Sequence, residues 1–264
     1  MAVKIIFLMK ALNQFIMDKL LLLSGNDIPF PSATINIHQL KIKEIAFLTE
    51  GVFYKGCGTL TFDKEKLYSE DKVNLEGLTN FDIIMSIMTE TEDPRVRQQQ
   101  VCVQMLFAMI FPEYKATFTK QGIVLVQEGD NQMHIINKNN FDEFVNIIKE
   151  IFCMHGGNAQ SEDFNPANDR AREIAEKLRK GREKAAAAKG ESTAEVSILS
   201  RYVSILAVGN HKDINDLMEY TVYQLYDEFG RYELKMSNDF YFQAKLAGAE
   251  GLTEVDNWMK DIHS

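Results

Sequence analysis

Apolar residues recur three or four positions apart over long stretches of this chain and alternate with polar residues over only a few short ones. The longest helical pattern begins at Thr221. With Gln224 three residues on, it forms a capping-box signature, in which each side chain satisfies a first-turn backbone N–H. Val222, Leu225, Phe229, Tyr232, Met236, Phe240, Ala244 and Ala247 then share one stripe over roughly seven turns, before Gly248 and Gly251. Thr221 and Gln224 are therefore expected as structural caps.

Ahead of this helix the pattern is mixed. Leu20–Leu23 reads as a short strand or anchor before the turn-rich stretch Ser24–Pro31, and residues 34–40 alternate with Ile35 and Ile37 on one side. A helix is predicted from about Lys41 to Tyr54, on Ile42, Ile45, Ala46 and Leu48, with Gly51 or Gly56 near its end. Thr79 or Asn80 caps a second helix through Phe81, Ile84, Met85 and Met88; Asp93-Pro94 opens a third, which Pro112 stops. Over 115–137 the period shortens to three β-rich runs separated by Lys120-Gln121-Gly122 and Gly129-Asp130-Asn131, an antiparallel meander. Asn140 is expected to cap a helix carrying Phe141, Phe144, Val145, Ile148, Ile151 and Phe152.

Residues 158–193 change character. The run Ala167–Gly190 holds eight basic against four acidic residues and few large apolar ones, which reads as a charged linker helix or a partly disordered tether. Beyond it, Ser192 and Glu195 make a further capping-box pattern, Asp213 heads a short helix, and Thr253 heads a terminal helix with Val255, Trp258, Met259 and Ile262. The expected fold is mainly α within an α+β class. A mixed domain spans 17–157, the linker 158–193 and a helical bundle 194–264.

Composition changes this picture little. Apolar content of 45% and charged content of 25% are ordinary for a globular protein, and 264 residues can bury a sizeable core. A net charge of −9 argues against general affinity for nucleic acid, and the basic linker lacks the interleaved aromatics that stack on bases. The apolar stretch 3–16 lacks a small-residue cleavage site and is too short to span a bilayer. Met17 opens a second plausible beginning, so residues 1–16 are read as a non-native extension. Cys57, Cys102 and Cys153 are odd in number and far apart, as in a reducing compartment.

No phosphate-loop, dinucleotide, metalloprotease, nucleophile-elbow or paired CxxC motif is present, so no catalytic, cofactor or metal residue is assigned and the protein is expected not to be an enzyme. The tyrosines of the last third cannot all lie on one stripe, and tyrosine is common at binding surfaces. Tyr223, one step from Val222, points about 100° away from the stripe, and Leu234 and Tyr241 lie on its flanks. These three are the candidate partner-binding residues.

Several stretches together carry a family resemblance: INIHQLKIKEIAFLTEGVFY (35–54), LTNFDIIMSIM (78–88), SILSRYVSILAVG (197–209), DINDLMEYTVYQLYDEFGRYELK (213–235) and AKLAGAEGLTEVDNWMKDIH (244–263). The chain resembles a family encoded in the tail-gene region of long-tailed phages and prophages, similar in layout to tail assembly chaperones. Leu40 stands where that family's strand-to-helix passage carries proline. The resemblance implies a non-enzymatic tail assembly chaperone or tail-morphogenesis protein. It would bind tape-measure or tail-tube components in the cytoplasm of an infected or lysogenic bacterium, without a membrane, with homo-oligomerisation left open. A structural tail or baseplate component is the alternative, and a nucleic-acid-binding regulator using the basic linker a weaker one.

Overall fold

The computed structural model describes residues 17–62, 77–89, 93–127, 129, 132–154 and 197–260. The expected extension 1–16, linker 158–193 and Ser192/Glu195 capping box lie outside these residues. The described elements are α1 (Lys19–Ser24), β1 (Ile28–Phe30), β2 (Ile35–Ile37), α2 (Ile42–Leu48), α3 (Glu50–Leu60), α4 (Asn80–Thr89) and α5 (Pro94–Ile110). There follow β3 (Tyr114–Thr119), β4 (Gly122–Gln127), β5 (Met133–Ile136), α6 (Phe141–Ile151), α7 (Ile198–Gly209), α8 (Ile214–Met218) and α9 (Val222–Leu246). The fold is mixed α+β and mainly helical, with two small antiparallel sheets.

The hairpin β1–β2 pairs Phe30 with Ile35 and Ile28 with Ile37, which puts the two isoleucines of β2 inward. The meander has the order β3-β4-β5, and Ile123, Leu125 and Ile136 face the core. Between sheets and helices lies an aromatic centre. Phe144 of α6 meets Phe107 at 5.5 Å, Phe30 at 5.9 Å and Phe111 at 6.1 Å between ring centroids, and all four rings are fully buried. Such rings contribute packing energy beyond the area they bury. Leu199, Val203, Leu206, Leu217, Val222 and Leu225 from the C-terminal helices join the same hydrophobic cluster.

Local chemistry explains several corrections to the sequence reading. Leu20–Leu23 is helical rather than extended: Asp18 accepts from Leu20 N–H, Gly25 closes the turn in a left-handed conformation, and only Leu22 is buried. A leucine run alone does not decide between helix and strand. The helix expected over Lys41–Tyr54 is two helices, because Thr49 sits at φ 73° between α2 and α3. Gly56 does not end a helix. It lies inside α3, where an added Cβ would come within 2.9 Å of the Cys102 carbonyl oxygen of α5, so it marks a close helix crossing.

Asn140 stands at the N-cap position of α6, but its side chain faces backward. It accepts from Asn137 N–H at 2.7 Å and donates to the Ile135 carbonyl at 3.0 Å, bracing the loop after β5. Thr79, not Asn80, caps α4, with Asp82 accepting from Thr79 N–H at 2.9 Å in return. The helix expected from Thr253 is not formed over the described residues: 253–257 are irregular and 258–260 make a turn.

Candidate protein-interaction surface

The first half of α9 is locked to the N-terminal elements. Thr221 accepts from Gln224 N–H at 3.3 Å, and Gln224 accepts from Thr221 N–H at 2.8 Å. The other end of the Gln224 amide donates to the Leu23 carbonyl at 2.7 Å, satisfying the open C-terminal end of α1. Thr221 also forms an antiparallel bridge with Lys41, through Ile42 N–H to the Tyr220 carbonyl and Val222 N–H to the Leu40 carbonyl. Helices α2 and α9 thus start from one shared backbone junction, in which Leu40 supplies a carbonyl.

Above this junction the tyrosines interlock. The Tyr226 and Tyr54 hydroxyls are 2.9 Å apart. Burial raises both phenols, that of Tyr226 up to about 12 and that of Tyr54 further, and both hydroxyls stay protonated at neutral pH. Burial likewise raises the Cys153 thiol to about 12, with Glu150 and Asp227 adding to it, which leaves no reactive thiolate there. Tyr202 of α7 stacks on Phe229 at 3.7 Å with 9° between planes. Lys212 bonds Glu228 at 2.7 Å and Tyr220; burial lowers its pKa, but these bonds outweigh it and hold the ammonium above its ordinary value.

The covered part of the stripe reaches as far as the contacts with α7. Tyr202 meets Tyr226 and Phe229, and Gly209, the last residue of α7, lies against the Tyr232 ring. Asn210, the C-cap of α7, donates to Glu228 at 2.9 Å, so these contacts of α7 fall on the segment of α9 from Tyr226 to Tyr232. Beyond that point α9 continues as regular helix to Leu246, yet Met236 is 48% and Phe240 72% exposed. Phe242 and Leu246, a second i,i+4 pair, are also exposed.

A return strap covers another side of this distal half. After Gly248 and Gly251, both in left-handed conformations, the chain runs back along α9. Asn238 donates to the Asp256 carbonyl, and Arg231 donates to the carbonyls of Trp258 at 2.9 Å and Lys260 at 2.5 Å. Val255, Trp258 and Met259 remain exposed on it. Among the described residues this stretch carries seven of the seventeen large apolar side chains left exposed, a concentration typical of interaction sites.

The candidate residues separate accordingly. Tyr223 is 3% exposed, so its expected place on an open flank is corrected: the face one step from the stripe turns into the body of the protein, not to solvent. Leu234 and Tyr241 are half-buried on the distal half, and Lys245 lies over the Tyr241 ring at 5.5 Å. Phe242, Leu246 and the strap were not singled out from sequence. Their one signal is that Phe242 and Leu246 fall off the stripe of a helix that otherwise has a covered face.

Residues 191–263 match the family model of the YomV second domain. YomV is a phage/prophage-type protein, so the C-terminal region is a phage-associated domain, and the match spans α7, α8, α9 and the strap. No curated protein and no solved structure matches the chain. Among the described residues, no helix is long and apolar enough to cross a membrane.

Proposed function

We propose that the protein is a non-enzymatic phage tail assembly chaperone, acting in tail morphogenesis in the cytoplasm of the infected or lysogenic bacterium. The observation that carries the reading is the apolar distal half of α9, presented on a firmly docked phage-associated domain. A tail component that exposes apolar helical stripes before its neighbours surround it is prone to aggregate. A partner that covers those stripes reversibly suppresses this, and needs no cofactor or catalytic group. Tape-measure and tail-tube proteins are the clients this implies.

The test is co-expression with the tape-measure and tail-tube proteins of the same phage. The chaperone reading expects their soluble yield to rise, the client to be retained on the tagged protein, and the protein to be missing or substoichiometric in purified virions by mass spectrometry. Stoichiometric recovery from virions would instead make it a structural tail or baseplate component. Salt-sensitive retention on DNA, without any retained tail protein, would move the function to the basic stretch 167–190.

A further inference from the structure

We propose that the distal half of α9, residues 233–246, takes a partner helix whose apolar stripe is flanked by lysine or arginine. This rests on the reading of that surface as the client site and deepens it by naming the partner's chemistry.

The occupant is a helix for reasons of shape. The surface is itself an α-helix, with its apolar side chains in i,i+4 rows and its backbone hydrogen bonds already made, so it offers no edge for a strand. The span 233–246 is about 21 Å long, the length of a partner helix of roughly 14 residues. Met236 and Phe240 continue the stripe that Tyr202 and the end of α7 cover further down, so the incoming helix extends a packing seam that α9 already uses.

Charge sets the partner's flanks. The cations of this region are engaged within the chain: Lys235 with Asp239 at 2.8 Å, Lys260 with Asp256 at 2.6 Å, Arg231 with two strap carbonyls, and Lys245 over the Tyr241 ring. The exposed carboxylates of Glu233, Glu250 and Glu254 meet no cation among the described residues. Glu233 lies three and seven residues before Met236 and Phe240, at one end of the open stripe, and Glu250 lies just past its other end. A second copy of this chain is the competing occupant. Parallel pairing sets like residues side by side, which is repulsive, and antiparallel pairing about the middle of 233–246 sets Glu233 opposite Leu246, beside a Lys245 ammonium already held over the Tyr241 ring.

The experiment uses the full chain and two synthetic amphipathic helices of about 18 residues with one leucine stripe, flanked by lysine in one and by glutamate in the other. Trp258, the only tryptophan, lies on the strap and reports binding by its fluorescence, and labelled-peptide anisotropy gives Kd. The lysine peptide is expected to bind about tenfold or more tighter than the glutamate peptide, and Phe240→Ser, which should leave the melting curve unchanged, to weaken it by about tenfold. The triple variant Glu233→Gln/Glu250→Gln/Glu254→Gln should erase the preference between the peptides. Equal binding of the two peptides by wild type, or no effect of Phe240→Ser, overturns the proposal. So does a wild-type dimer in sedimentation that Phe240→Ser converts to monomer, since the stripe would then belong to a second copy. Capture of the tail proteins, measured separately, can fail while the lysine peptide binds as expected, and that outcome removes the chaperone reading but not this one.

Discussion

The carboxylate of Glu50, the first residue of α3, accepts from the backbone N–H of Ile198 at 2.5 Å and of Leu199 at 3.0 Å. Helix α7 thus receives its N-terminal cap from a residue 148 positions away, and Ser197 at its own N-cap position makes no capping bond to its helix. The negative charge also faces the positive end of the α7 dipole. This contact pins the start of the C-terminal helices, α7 to α9, to the N-terminal elements.

Glu50→Ala should therefore destabilise the whole chain by about 1–2 kcal/mol, the sum of a lost cap and a lost charge–dipole contact. Urea unfolding checks this. An unchanged midpoint would show that packing of Leu199, Val203 and Leu206 alone holds α7.

Two glycines of α3 should respond in opposite directions to alanine. At Gly58 an added Cβ meets nothing within 4 Å, so Gly58→Ala should stabilise by about 0.5–1 kcal/mol through helix propensity. At Gly56 the added Cβ meets the Cys102 carbonyl and Leu106, so Gly56→Ala should cost about 1–3 kcal/mol as the crossing with α5 is pushed apart. Thermal melts of the pair in parallel are the measurement, and equal shifts would contradict the close crossing.

Tyr223→Ala should lower stability by roughly 3–5 kcal/mol, because it removes a buried aromatic side chain. Tyr241→Ala, at a half-buried position of the distal half, should cost well under that. Loss of client capture in Tyr223→Ala would then reflect unfolding, which circular dichroism on the same sample detects.

The Asp82 carboxyl is held down to about 2 by the Lys138 ammonium at 2.8 Å and by the Thr79 hydroxyl and N–H. Its folded-state pKa lies below the ordinary 3.8, so its contribution is fully present above that value and is lost as pH falls toward 2. Wild type should exceed Asp82→Asn in stability at neutral pH, and the gap should close across that acid window. Lys138→Met should raise the carboxyl pKa, which NMR titration reads directly.

Sequence alone determined what depends on neighbours along the chain. Thr221 and Gln224 lie within one helical turn, and their mutual hydrogen bonds form wherever the rest of the protein goes. The period-2 runs of the meander and the two-residue link between Thr119 and Gly122 are equally local. The α+β class and the stripe of α9 follow from such spacing. The tertiary structure decided what depends on distant contacts. Thr49 breaks a continuous apolar period because α2 and α3 pack against different helices, α8 and α5, and Gly56 is a crossing point, which only the position of Cys102 reveals. The stripe from Val222 to Ala247 is one periodicity in sequence, and which half is covered depends on where α7 meets it. Because α7 meets α9 between Tyr226 and Tyr232, the stripe is covered up to there, while Met236 and Phe240 beyond it are open surface.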